Sequence, residues 1–316
     1  MKIKIIKSIC FVLILSVILI LLSKLLEPKN NSVEAGMHYR GASGVLAEPD
    51  NTIDVVYIGN SEAYTSIIPM EMWNDHGYTG YVCASPEQLL PVSTKILGET
   101  VKHQKPKLIV LEASNLNVIS DLSEASDQVL NYGLKVFQYH DRWKNLSKED
   151  FTTKPEYTTE NYMKGYEYSD MVAGLDIDPS SEKKMDEVAI PKSNQAYVKL
   201  IKKIGEQNGA KLVMVSVPCY EYWSHKTHDE IQGFCDKNGI DYIDLNLNKD
   251  DVGIDWKTDT SDGGNHLNHK GALKTTKYLG KQLKERYKLE DHRHDEKYKH
   301  WNEQYEKYKD IVKKQI

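Results

Sequence analysis

Five short apolar runs constrain this chain more than any other feature: residues 53–58, Tyr81-Val82-Cys83-Ala84, Lys107–Glu112, Lys211–Val217 and Asp241–Leu245. Residues 53–58 read as a strand buried on both faces and Lys107–Glu112 as another buried strand, and the other three, too short for helices, read as strands as well. Helical periodicity fills most of the gaps between them. Ser61–Trp73 is helix-like up to a break at Pro69, and Ser85-Pro86-Glu87-Gln88 opens a helix running to about His103. Ser193–Asn208 and about Lys226–Asn238 are closed by Gly209 and Gly239, and a last helix runs from about Lys270 to Lys288. Strands alternating with helices predict an α/β fold: a three-layer α/β/α, doubly wound parallel sheet, with its sites beyond the carboxyl ends of the strands. Ser61, Ser85, Asn115 and Cys219 all fall at such ends.

Ahead of this domain, Ile9–Leu22 is uncharged, and Ile3–Leu26 is long enough, at about 1.5 Å per residue, to cross a hydrocarbon core. Lys2, Lys4 and Lys7 precede it, which predicts a cytoplasmic N-terminus and an extracytoplasmic remainder. No small-residue cleavage pattern follows, so an uncleaved anchor is expected. The expected organisation is an anchor over 1–27, a polar linker over 28–51, a domain over 52–288 and a charged helical tail over 289–316. Within the tail, Asp291-His292-Arg293-His294-Asp295 reads as a solvated face. Residues 118–190 lose the alternation and read as an insertion folding over the active face. Its tyrosines, with His140, Arg142 and Trp143, suit either sugar stacking or a small satellite core.

Net charge bounds the partners. A formal charge of −5, less the four lysines of residues 1–26, leaves about −9 for the rest, which argues against a nucleic-acid binder. Beyond Cys10 in the apolar span, three cysteines remain, an odd number that makes no disulfide framework. Cys219 and Cys235 either pair or stand as buried thiols.

The chemistry-bearing residues are few. Ser61 sits on the tight turn after the first strand, where unpaired backbone N–H groups can hold an oxyanion. A serine nucleophile needs a base, and the base an acceptor that fixes its tautomer. Late in the chain, Asp259-Thr260-Ser261-Asp262-Gly263-Gly264-Asn265-His266 supplies both, with His266 as base and Asp262, four residues earlier, as its acid; Asp259 is the spare. The expected geometry is a Ser61 hydroxyl within hydrogen-bond reach of one His266 ring nitrogen and a carboxylate at the other. His266 with His269, or His225 with His228, has zinc-ligand spacing, but no third ligand accompanies either pair, so neither a metal nor a cofactor is expected.

With these residues in view, the chain resembles the SGNH (GDSL-like) hydrolase superfamily, in its membrane-anchored branch similar to the D-alanyl-lipoteichoic acid biosynthesis protein and to alginate and peptidoglycan O-acetylation proteins. Gly59-Asn60-Ser61 resembles the first block, and Asp262–Ala272 the last, over a match spanning roughly residues 53–284. The resemblance implies a flavodoxin-like sheet, with Ser61 as nucleophile, His266 as base and Asp262 as orienting acid. This chain departs from it by placing the aspartate four residues before the histidine instead of three, and by lacking the second-block glycine and the Gly-x-Asn-Asp third block. Ser85, Gln88 or Asn115 are the candidates to complete the oxyanion or substrate site. The implied activity is acyl transfer or ester hydrolysis on a cell-wall polymer or lipid-linked glycan, with a multi-pass membrane O-acyltransferase as the implied partner. The alternatives are a plain carbohydrate O-acyl esterase and a non-catalytic envelope protein on a relict fold.

Overall fold

The computed structural model describes residues 2–32, 34–38, 40–117, 128, 130–131, 133–176 and 189–315. The chain divides into two units, Met1–Arg40 with Ser120–Thr159, and Gly41–Ile119 with Glu160–Ile316.

The first unit begins with α1, Lys2–Leu26, whose window of mean hydropathy 3.0 is wholly unburied. It is long and apolar enough to cross a membrane, a description that a signal sequence also meets. Its carboxyl end leaves orphan carbonyls, and Arg142 takes one, donating from Nη1 to Leu26 O at 2.7 Å while Nη2 pairs with Asp150 at 2.7 Å. Tyr139 packs with Leu26 and Met37, and Asn31 exchanges two hydrogen bonds with Thr159, at 2.8 and 2.9 Å. This half of the insertion thus builds a satellite core on the end of α1. Residues 118–127 and 177–188 of the same excursion lie outside the described residues.

The second unit is an α/β domain around a five-stranded, all-parallel sheet: β1 Val55–Gly59, β2 Gly80–Ala84, β3 Leu108–Glu112, β4 Lys211–Ser216 and β5 Asp241–Asp244, in the order β2-β1-β3-β4-β5. The register pairs Val55 with both Gly80 and Leu108, Leu108 with Lys211, and Val213 with Asp241. Strand pleating splits the core in two. Val56, Ile58, Ile109, Leu111 and Met214 face one layer, and Val55, Tyr57, Val110, Val213 and Val215 the other. Helices α4 (Leu90–His103), α5 (Lys192–Gln207) and α6 (His225–Asn238) pack on the first layer through Leu97, Val198 and Ile231. Helices α2 (Ser61–Ser66) and α7 (His269–Tyr287) pack on the second through Ala63, Leu279 and Leu283. Between α2 and β2 lies α3, Pro69–His76, which starts at the break expected at Pro69.

One helix boundary differs from the sequence reading. Helix α4 starts at Leu90, with Pro91 in its first turn, because Glu87 adopts a left-handed φ of 50° and closes a turn at Pro86–Glu87 instead. The C-terminal segment is also less solvated than its charge suggested. Helix α8, Lys299–Gln315, buries Trp301 and Tyr308 in the first core layer, and His292 lies buried with Nε2 3.0 Å from Asp54 Oδ2. Underneath, the Lys164 ammonium is fully buried, 2.5 Å from Glu48 Oε1, 2.6 Å from Gln304 Oε1 and 4.4 Å from the centre of the Trp301 ring.

The strand order reverses at β1. The chain leaves β1 for β2 on one side and returns to β3 on the other, so the carboxyl ends of β1 and β3 flank the switch-point crevice.

Candidate active site

Two turns meet at that crevice. After β1, Gly59 permits a close approach: a Cβ there would lie 2.8 Å from Glu112 Cβ and 3.0 Å from Ala63 Cβ. Asn60 caps α2 without using its side chain on the helix. Its Nδ2 donates to Asn115 Oδ1 at 2.8 Å, and its Oδ1 accepts from the Ser114 hydroxyl at 3.3 Å, so the turns after β1 and β3 are stitched together. Ser61 is the first residue of α2, where its N–H has no helical acceptor.

The three candidates for the oxyanion or substrate site occupy different positions. Ser85 and Gln88 are buried and satisfied by one another and by their surroundings: the Ser85 hydroxyl donates to Gln88 Oε1 at 2.8 Å, and Gln88 Nε2 donates to Cys83 O and to Ser93 Oγ. They hold the turn after β2. Asn115 is half-buried, and its Nδ2 donates to Gln88 O at 2.7 Å, which leaves the amide's second hydrogen.

The histidine comes from the loop before α7. Asp262 accepts twice, from the His266 backbone N–H at 2.7 Å and at 2.5 Å from Nδ1 of the ring, so one carboxylate fixes both the loop and the imidazole. Ser261 N and Thr260 Oγ1 donate to His266 O at 3.0 and 2.9 Å and close the turn. Ring Nε2 is buried and has no hydrogen-bond partner among the described residues. The hydrogen bond expected between Ser61 and His266 is therefore not made. Ser61 Oγ donates instead to Glu62 Oε2 at 3.3 Å, and the Glu62 carboxyl lies within electrostatic reach of the His266 ring.

Asp259, the spare acid, is committed elsewhere. It is fully buried and accepts from Lys274 Nζ at 2.5 Å, Asp255 N at 2.8 Å and Thr258 Oγ1 at 2.9 Å. Burial raises its carboxyl, but those donors outweigh burial and hold it below the usual range. His269 is occupied as well, 3.0 Å from the Tyr166 hydroxyl and tilted against Tyr168, and His228 Nδ1 lies 2.7 Å from Asp244 Oδ2. Among the described residues, no group of three or more His, Cys, Asp or Glu stands together for a metal.

The second half of the insertion does reach this loop. Ala173 N donates to Thr260 O at 3.1 Å, Gly263 N to Ala173 O at 2.8 Å, Leu175 N to Trp256 O at 2.8 Å and His269 N to Ser169 O at 2.7 Å. Beyond β4, Tyr220 N donates to Gly264 O at 2.8 Å, and a cleft opens beside Ser114 and Cys219, lined by Tyr222, Trp223 and Asn246. Cys219 and Cys235 are unpaired; burial pushes the Cys219 thiol up, with Glu62 and Glu112 adding to it, so it stays protonated and is no rival nucleophile.

Sequence reasoning missed Glu62 and Glu112. Both are 2% exposed beneath Ser61 and Ser114. The available signal was an acid closing the apolar run Leu-Ile-Val-Leu-Glu, and another directly after the candidate nucleophile.

No family model matches the chain, and neither does any protein of curated function. Among solved structures it is similar to a putative acylhydrolase from Bacteroides fragilis, at 12% identity and a TM-score of 0.41, over 78% of this chain and 96% of that one. It is also similar to a lipase/acylhydrolase from Enterococcus faecalis, at 12% identity and a TM-score of 0.40 over 76% and 98%. A GDSL-like lipase from Bacteroides thetaiotaomicron follows at 11% and 0.37, over 73% and 87%. These three are described as acylhydrolases or lipases, one of them as GDSL-like. At such identities the likeness says nothing of activity, which has to come from the side chains themselves.

Proposed function

We propose that the protein is an extracytoplasmic, membrane-tethered serine esterase or O-acyltransferase of the SGNH type, acting on acyl groups of cell-wall polymers or lipid-linked glycans. The observation that supports it is the Asp262–His266 pair, whose carboxylate holds Nδ1 and leaves a buried Nε2 with no partner among the described residues, on a ring within electrostatic reach of the Glu62 carboxyl that Ser61 bonds. In the proposed cycle Ser61 Oγ attacks the acyl carbonyl as its proton passes to His266 Nε2. The Ser61 N–H and the second Asn115 Nδ2 hydrogen are the donors for the tetrahedral oxyanion. His266 returns the proton to the departing oxygen, leaving an acyl-serine, which a glycan hydroxyl or water resolves by the reverse sequence. Tyr222, 41% exposed at the cleft, offers a ring face for a sugar. Helix α1 as an anchor would raise the local concentration of substrates at the membrane, and a multi-pass membrane O-acyltransferase is the proposed supplier of the acyl group.

A second reading has its own support. Ser61 gives its hydrogen to Glu62 and not to His266, which is compatible with a non-catalytic envelope protein. Labelling of the full-length protein in detergent with a fluorophosphonate probe decides between them. Wild type is expected to label and Ser61→Ala not to label; equal labelling of the two refutes the enzyme. A competition between glycan hydroxyl and water for the acyl group then separates transferase from plain esterase.

A further inference from the structure

Three exposed aromatic side chains follow directly on three residues that are locked to the carboxyl end of α1. Val136 N donates to Ser23 Oγ at 3.1 Å, Arg142 Nη1 donates to Leu26 O at 2.7 Å, and Asp150 accepts from Arg142 Nη2 at 2.7 Å. The next residues in the chain are Phe137, Trp143 and Phe151, which are 40%, 65% and 67% exposed. The short helical segments that carry them, Lys135–Gln138, His140–Asn145 and Lys148–Thr152, all pack against α1. One exposed ring is ordinary on a protein surface. Here the exposure is concentrated: apart from Phe11 within α1, these are the only exposed Phe and Trp side chains among the described residues.

The sequence of α1 sets the depth of those locks in a membrane. Lys7 and Lys24 bracket sixteen uncharged residues, about 24 Å at a rise of about 1.5 Å each, a little less than a hydrocarbon core of about 30 Å. The two ammoniums therefore reach outward to the headgroups while the backbone beside them sits lower. Ser23 lies on the inner side of Lys24, and Leu26 lies less than a turn beyond it. The bonds from Val136 and Arg142 are thus made where headgroups meet acyl chains, the zone that Trp and Phe side chains favour.

We infer that this unit is a membrane-interface module, with Phe137, Trp143 and Phe151 inserted at the headgroup–acyl boundary of the phospholipid bilayer that α1 crosses. The inference rests on the reading of α1 as an anchor. Its driving force is the burial of rings and not charge. Over residues 120–159 five basic side chains stand against seven acidic ones, so no polybasic attraction to anionic lipid holds this surface. Lys144, paired with Asp141 at 2.7 Å, keeps its ammonium 6.0 Å from the centre of the Trp143 ring and supplies a polar neighbour at the ring's edge of the membrane.

The test uses the full-length protein in phosphatidylcholine vesicles whose lipid is unbrominated, brominated high in the acyl chain or brominated near the chain ends. Trp143 emission is taken as the difference between wild type and Trp143→Phe, because four other tryptophans remain in both. Bromine high in the chain is expected to quench half or more of that difference emission and bromine at the chain ends less, equally at about 50 and about 500 mM salt. Trp143→Phe/Phe151→Trp moves the reporter to the second ring and is expected to be quenched alike. Equal emission in all three lipids, as when water or a protein partner covers the ring, overturns the inference; so does stronger quenching from the chain ends, or quenching that is lost at high salt. The anchor has its own readout in the same vesicles. Cys10 lies within α1 and is the only exposed cysteine, so a membrane-impermeant maleimide is expected to spare it. Cys10 spared with Trp143 unquenched keeps the anchor and removes the interface module. Cys10 labelled removes the anchor, and the module then stands only if Trp143 is still quenched.

Discussion

Replacing Lys164 by methionine keeps the length of the side chain and removes its charge, and the structure sets the cost. The ammonium is the counter-ion of Glu48, a partner of Gln304 and a cation over the Trp301 ring, all inside the domain. Glu48 Oε2 already lacks a partner among the described residues, so Lys164→Met leaves a buried carboxyl with almost nothing to hold it. Leaving one member of such a pair behind costs about 3–5 kcal/mol. For a unit of this size that is a loss of roughly 10 °C in Tm. Glu48→Gln/Lys164→Met removes both charges and is expected to recover most of the loss, giving a coupling of about 2–4 kcal/mol in a double-mutant cycle. Lys164 has a left-handed φ of 51°, but methionine bears the same strain, so backbone strain cancels in the comparison. The pH dependence carries a sign. Burial already raises Glu48 with the lysine present, chiefly against the Lys164 attraction. Without the lysine, the native state of Lys164→Met keeps a proton that the unfolded chain releases above about pH 4.5, so its deficit grows as pH rises from 5 towards neutrality. Urea unfolding of the full-length protein at pH 5 and pH 7.5 measures all of this. A deficit below 1 kcal/mol at pH 7.5, or a double variant as unstable as the sum of the singles, refutes the reasoning.

Three further substitutions probe the site. Asp262→Asn is expected to slow fluorophosphonate labelling by about 10³–10⁴-fold with little change in melting temperature, since an amide oxygen can still hold the His266 backbone N–H while its NH2 cannot accept from ring Nδ1 and fixes the wrong tautomer. Asp259→Asn should do the reverse, costing about 2–3 kcal/mol in urea unfolding, because Lys274 and the Asp255 N–H lose a buried anion, while labelling of the folded fraction is retained. Gly59→Ala forces a methyl to within 2.8 Å of Glu112 Cβ, and a loss of about 1–3 kcal/mol with impaired labelling is expected.

The sheet was legible because its strands are covered on both faces, and such strands cannot hide polar residues: Val55-Val56-Tyr57-Ile58 and Leu108-Ile109-Val110-Leu111 announce themselves. The Asp262–His266 pairing was legible for a local reason, four residues bent by two glycines at positive φ, Gly263 and Gly264. What lay hidden is non-local. Nothing in the composition of residues 118–190 says that one half builds a core on the end of α1 while the other half runs along the loop that carries His266. In α8 the charges outweighed the spacing of Trp301 and Tyr308, seven residues apart on one face. The engagement of Ser61 with Glu62 is hidden more deeply, because a glutamate after a serine at a helix start reads as favourable charge on the first turn until its burial is known.

The seam between residues 169–175 and 256–269 bears on timing. Four amide hydrogens, those of Ala173, Leu175, Gly263 and His269, are spent on it, so the imidazole is carried on a shelf and not on a hinge. A shelf does not swing out to admit a ligand and swing back. On the proposed esterase reading, the slowest internal motion needed before bond-making is then the turning of one small side chain, which belongs to nanoseconds, and not the microsecond excursion of a lid.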